Sequence, residues 1–186
     1  TWASFRDPDF AHSEHVARLA LQLYDGLNSL GLFPADVLPE ARFILNAAAL
    51  AHDVGKSGAQ KKHRLASCRM LRKLDPPIGW SAEMLEQVAL IARFHRGALP
   101  RLEHKTFTGM PAAVRKAVLM LCGILRLANA LDLRHHKRIR RLELKREGNV
   151  LLVTAPGYLD ADATAEKIAA ARHLLESVCR LPVFIQ

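Results

Sequence analysis

Three stretches of this sequence space apolar side chains three and four residues apart over several turns, and that period commits most of the chain to helices packed on one another. Val16, Leu19, Leu23, Leu27 and Leu30 share one face of a helix predicted to start near Phe10. Asp7-Pro8-Asp9 ahead of it supplies acids suited to a helix N-terminus, and Gly31 stops the run. His12 falls on the same stripe. Leu85, Val88, Ala92 and His95 line a second helix, with Ser81 placed to cap it, Glu83 in its first turn and Gly97 at its end. Pro111 opens the longest predicted helix, running to about Asp132, with Val114, Val118, Leu121, Leu125 and Asp132 along its inner stripe. Two shorter helices fit between them: Glu40 to His52, entered through Pro34 and Pro39 and ended by Gly55, and a basic one from Leu65 to Leu74, closed by Asp75-Pro76-Pro77.

From Ile139 the pattern changes. Leu142 and Leu144 alternate with charged residues as on a half-buried strand, Glu147-Gly148-Asn149 reads as a turn, and Val150 to Thr154 as the return strand. Thr164 to Leu181 is an amphipathic helix with Ile168, Ala171, Leu175 and Val178 inward, and Pro182 to Gln186 a last strand. The expected fold is mainly α: a helical bundle over 1–136, followed by a small α+β module, ββαβ, over 137–186. Cys68, Cys122 and Cys179 form no CxxC pair, which suits reduced thiols of a cytoplasmic protein better than a zinc site or a disulfide framework. The longest apolar run, Phe43 to Ala51, is broken by Asn46 and too short for a bilayer, so no membrane partner is expected. No signal peptide opens the sequence, and its start at Thr1 suits a piece of something longer.

The chain carries 27 Lys+Arg against 18 Asp+Glu, a net +9. The excess is local: residues 1–55 balance at −4, residues 56–146 at +15 and residues 147–186 at −2. A field this concentrated suits a polyanionic partner, whether polyphosphate, a nucleotide, nucleic acid or an acidic protein; solvated helix faces are the plainer alternative. The candidate anion contacts are Lys56, Lys61, Lys62, Arg64, Arg93, Arg96, Arg138, Arg140 and Arg141, with Arg69, Arg72, Lys73, Arg101, Arg134 and Lys137 in the same clusters. Trp80 is the one Tyr or Trp interleaved with them, which argues against a sequence-specific reader of single-stranded nucleic acid. Binding to RNA or DNA by charge alone is a third reading.

His52-Asp53 ends an apolar helix. An imidazole nitrogen and a carboxylate oxygen together suit a divalent metal of borderline hardness, and Gly55 ends the helix so that both side chains can face one point. A hydrogen-bonded core pair is the simpler account of the dipeptide alone. However, His12, His63 and His95 also stand at helix ends or turns, two of them on apolar stripes. Buried imidazoles need polar partners, and a shared metal would satisfy them together; separate backbone or carboxylate partners are the alternative. His15 is a reserve candidate. His104, His135 and His136 read as surface or anion-contacting groups, and His173 as a helix-surface residue.

HxxxV from His12 to Val16, HDVGK from His52 to Lys56, the later His63 and LANALD from Leu127 to Asp132 resemble the HD superfamily of metal-dependent phosphohydrolases. More closely, HVARLALQLYDGL, ALAHDVGK, LIARFHRGALP and LRLANALD, in that order and with a strand-rich tail, resemble the C-terminal region of the exopolyphosphatase/guanosine pentaphosphatase (Ppx/GppA) family. The resemblance implies an HD-like bundle and a divalent metal (manganese, iron or magnesium) held by His12, His52 and Asp53, with His63 and His95 as candidates for a second ion. Asp53 and Lys56 would then be catalytic, Lys56 touching a phosphate oxygen. Where the family often reads ADALD, with its first Asp a ligand, this chain has Asn129, a poorer ligand; Asp132, about 60° away round the helix, could substitute. The resemblance also implies a homodimer. In exopolyphosphatases polyphosphate hydrolysis belongs to an N-terminal actin-like pair of domains, so the alternative is a non-catalytic polyphosphate-binding and dimerisation module of a larger chain.

Overall fold

The apolar stripes become the inner faces of a helical bundle. The computed structural model describes residues 2–58, 60–100, 105–159 and 164–186. A five-residue helix α1 (Trp2–Arg6), too short for a period to reveal it, precedes α2 (Phe10–Ser29). Asp9 caps α2: its carboxylate accepts the His12 N–H at 3.2 Å. Then come α3 (Ala41–Ala51), a tight 3-10 turn at Val54–Ser57, α4 (His63–Leu71) and α5 (Ala82–Arg93). Ser81 caps α5 as expected, its hydroxyl accepting the Met84 N–H. A one-turn α6 (Lys105–Thr108) lies in the loop before α7 (Ala112–Leu131). α2 and α7 are each 20 residues long, so the Pro111 helix shares its rank as longest with the first. α4 starts two residues before its predicted Leu65, because the preceding 3-10 turn of Gln60–Lys62 runs straight into it.

α7 is the central rod, in contact with α2, α3, α5 and α8 (Ala165–Cys179). Its Val118, Leu121, Ile124 and Leu125 are fully buried, against partners such as Leu19, Leu23, Leu45 and Ile91. Each such side chain contributes about 1.5–3 kcal/mol by leaving water. Leu30 and Val114, at the ends of their stripes, are only half-buried. Gly123 lets α8 approach α7 closely, since a Cβ there would lie 3.1 Å from the Leu175 backbone.

The tail is ββαβ, as its alternation predicts. β1 (Glu143–Glu147) and β2 (Val150–Thr154) form an antiparallel hairpin, Glu143 opposite Thr154, turning at Gly148 with φ +57°. β3 (Val183–Ile185) returns after α8 to lie parallel to β2, Leu151 beside Val183, in a sheet of order β1-β2-β3. The buried Leu151, Val153 and Val183 join the same hydrophobic cluster as α2 and α7. The fold is mainly α with a small α+β module. Among the described residues no helix is long and apolar enough to cross a membrane. Arg101 and His104 lie outside the described residues.

Candidate metal centre

Five helix ends meet at one buried point. His12 comes from the first turn of α2, His52 and Asp53 follow α3, His63 starts α4, His95 follows α5, and Asn129 and Asp132 end α7. All seven side chains are buried. Ligand atoms of His12, His52 and Asp53 lie within 4.8 Å of one another, and so do those of Asp53, His63 and His95. Asp53 belongs to both groups and stands between them.

The carboxylate divides its oxygens. Oδ2 lies 3.3 Å from His52 Nε2 and 2.5 Å from Lys56 Nζ; Oδ1 lies 3.2 Å from His63 Nε2 and 3.8 Å from His95 Nε2. The backbone fixes two of the imidazoles. His52 Nδ1 donates to the Ala49 carbonyl at 2.6 Å and His95 Nδ1 donates to the Ala92 carbonyl at 2.6 Å, because a carbonyl can only accept. In the neutral rings this turns both Nε2 lone pairs inward. His52 Nε2 and Asp53 Oδ1 are buried and make no hydrogen bond. With His52 neutral, acceptor would face acceptor in a dry interior, which is costly unless a proton or a cation lies between them.

His12 is oriented from behind. Its Nδ1 donates to Asp132 Oδ2 at 2.8 Å, and Asp132 Oδ1 accepts the Lys137 N–H at 2.7 Å. His12 Nε2 then faces Asn129 Oδ1 at 3.3 Å. Asp132 thus backs the imidazole, while Asn129 offers its oxygen on the inner side. The His12 ring also stacks on His135, centroids 3.6 Å apart and planes 6° from parallel.

The charges follow from this packing. Burial opposes the charged form of Asp53, but the His52 imidazole outweighs it and holds the carboxyl well below its ordinary range. Burial alone would depress His52, yet the Asp53 carboxylate raises it above its usual value. Burial, reinforced by His52, keeps His95 neutral. Asp132 resists its own burial through the His12 hydrogen bond and stays below the ordinary carboxylate range. Positive charge from Lys56 and His52 thus already faces Asp53, and the same donor set of imidazole nitrogens and a carboxylate could hold a divalent cation.

Other predicted residues scatter. Lys61 and Lys62 are exposed near α4, and Arg64 reaches towards Gly97, where a Cβ would meet its Nε at 2.7 Å. Arg93 lies over the Phe94 ring, Arg96 is exposed beside His95, and Arg141 pairs with Glu143. Arg138 and Arg134 line a small cleft with Asp132 and His136, and Arg140 is exposed. Arg72 pairs with Glu86. His15 is buried outside both groups, its Nδ1 3.2 Å from Arg18, and burial lowers its pKa. His173 is on the helix surface.

Asp7, Ser13 and His135 contribute in ways that their places in the sequence do not mark. The Ser13 hydroxyl donates to the buried Asp7 carboxylate at 2.5 Å and lies 3.5 Å from His52 Nδ1. His135 reaches His12 because it adopts φ +57°, as Lys137 does at +53°, and it donates to Asp9. Ser13 lies next to His12 in sequence, which was the only available signal. The family model for Ppx/GppA phosphatase, domain III, matches residues 6–163, and no curated protein matches the chain.

Proposed function

Since the chain belongs to the Ppx/GppA phosphatase family, as its domain III, we propose that its buried histidine–aspartate cluster is a divalent-metal centre for hydrolysis of phosphate-rich anions. The observation that carries this reading is that two buried polar atoms, His52 Nε2 and Asp53 Oδ1, make no hydrogen bond amid further imidazole nitrogens. His12, His52 and Asp53 hold one cation, with Asn129 Oδ1 beside them. His63 and His95 can hold a second through the other Asp53 oxygen. When bound, such a metal lowers the pKa of water and draws charge from a phosphoryl oxygen.

The protein's own groups supply the rest. Asp132 keeps His12 in the tautomer whose Nε2 points inward, the usual carboxylate–histidine support of a ligand. The Ala49 and Ala92 carbonyls do the same for His52 and His95. Lys56 is 22% exposed while Asp53, which its ammonium touches, is 3% exposed, so the side chain links the carboxylate to the surface and its ammonium could meet a phosphate oxygen. Burial keeps bulk water from screening these charges.

Metal analysis of the purified protein, with turnover assays on polyphosphate, guanosine tetra- and pentaphosphate and nucleotides, tests the reading. Bound metal and turnover are expected; no metal, and no turnover with added manganese, iron or magnesium, would overturn it. Asn129→Asp places a carboxylate 3.3 Å from His12 Nε2, at the oxygen's present position. It should tighten metal binding roughly 10–100-fold, read by competition with a chelator. An unchanged affinity would remove position 129 from the coordination sphere.

Lys56 favours a second reading, a polyanion-binding module without turnover, because it already gives Asp53 a cationic partner. That reading predicts salt-sensitive polyphosphate binding that survives His52→Ala and weakens when Arg138, Arg140 and Arg141 are neutralised.

A further inference from the structure

A groove of about 250 Å³ opens between the end of α5, α7 and α8, and His95 and Asn129 form part of its wall. It therefore adjoins the cluster described above. Two cations stand over it from different parts of the fold: Arg96, just past α5, and Lys167, in the first turn of α8. Both are exposed, and neither makes an ion pair among the described residues. Arg126 also lines the groove, but its guanidinium is spent on the Phe94 and Gly97 carbonyls. Between the cations the surface is apolar, built from Leu133, Ala170 and Ala171.

This mixture selects among phosphate compounds. A bare polyphosphate chain is anionic along its whole length. Laid in the groove it would set charged oxygens on an alanine and leucine surface that offers no hydrogen bond, at a desolvation cost. An organic phosphate carries its charge at one end and an uncharged body at the other. Its body can cover Leu133, Ala170 and Ala171, a planar ring can stack on the Arg96 guanidinium, and Lys167 adds attraction at the rim. The volume suits a compact body of that kind and not a long polymer.

We propose that the α7–α8 groove is the subsite for the organic part of a phosphate monoester, of the nucleoside monophosphate class, whose phosphate enters the histidine–aspartate cluster. This rests on the metal-centre reading for the position of the phosphate. It also makes α8 of the terminal module, through Lys167 and Ala170, part of the binding site.

The test is calorimetric binding of adenosine monophosphate and of inorganic tripolyphosphate to the full chain with manganese present. Ala170→Trp fills the groove from an exposed position outside the cluster, and Lys167→Glu reverses a rim charge. The expected result is that each variant weakens adenosine monophosphate binding by about tenfold or more, and that Ala170→Trp leaves tripolyphosphate within about twofold. Unchanged adenosine monophosphate binding in both variants would overturn the proposal, as would no binding to the parent chain at millimolar nucleotide. Equal losses for both ligands in Ala170→Trp would also overturn it, by showing no selection for the organic body. If the variants weaken nucleotide binding as expected but the parent chain turns nothing over, hydrolysis fails and the groove stands. Thermal melting of both variants checks that each remains folded.

Discussion

Asp53→Asn should abolish metal retention and lower phosphohydrolase turnover by more than about 100-fold, roughly 2.7 kcal/mol of transition-state stabilisation, while leaving the protein folded. The substitution is isosteric, so no cavity opens and no helix moves. What changes is charge. Asp53 is the carboxylate common to the two ligand groups, with His52 and Lys56 facing one oxygen and His63 and His95 the other. An amide there offers one neutral oxygen in place of two anionic ones and turns an N–H₂ towards imidazole nitrogens that would otherwise hold the metal. Both groups lose their bridge at once, which distinguishes this change from His12→Ala or His63→Ala, each confined to one side. The measurements are metal content per chain after dialysis, turnover with saturating manganese, and a thermal melt. Metal retained by the Asp53→Asn protein would end the bridging assignment. Loss of its fold would show Asp53 to be a structural ion-pair partner first.

How far the sequence alone reached can be traced residue by residue. α2, α5 and α7 were legible because each buries one face against a neighbour, and that geometry imposes a repeat of three and four residues. The ββαβ tail was legible from alternation and the Gly148 turn. The convergence of His12, His52, His63 and His95 was inferable because histidines on apolar stripes need a common polar partner. The role of Asp132 was not. From helix spacing it could have stood in for Asn129, and only the turn after α7 directs its carboxylate to His12 Nδ1 and Lys137 N. His135 was equally hidden, since its stacking depends on a left-handed backbone conformation that a non-glycine residue adopts only under tertiary constraint. The α7–α8 groove joins Arg96 to Lys167, far apart in sequence, so no local pattern could announce it.

Gly55→Ala should be the most damaging of the glycine-to-alanine changes, lowering stability by about 3 kcal/mol, the upper end for overpacking, and the melting temperature by roughly 6–12 °C. The reason is a close approach of two backbones. A Cβ on Gly55 would lie 2.4 Å from the His63 carbonyl oxygen, 2.5 Å from the Ser67 nitrogen and 2.8 Å from the Ala66 Cβ. None of these is the tip of a flexible side chain, so relief requires α4 to move as a body. That movement would also break the link holding α4 to the turn that carries His52 and Asp53, in which the Gly55 N–H donates to Ser67 Oγ and the Ser67 hydroxyl donates to the His52 carbonyl. Because α4 begins at His63, it would draw that imidazole away from Asp53 Oδ1. The variant should therefore lose metal affinity on the His63–His95 side even where it remains folded. Gly58→Ala, three residues on, is the control: nothing lies within 4 Å of its Cβ position and its φ of −120° suits any residue. If Gly55→Ala melts within about 2 °C of the parent, an effect of about 1 kcal/mol at most, then α4 is not clamped against the 3-10 turn, and the glycine of HDVGK owes its place to something other than this contact.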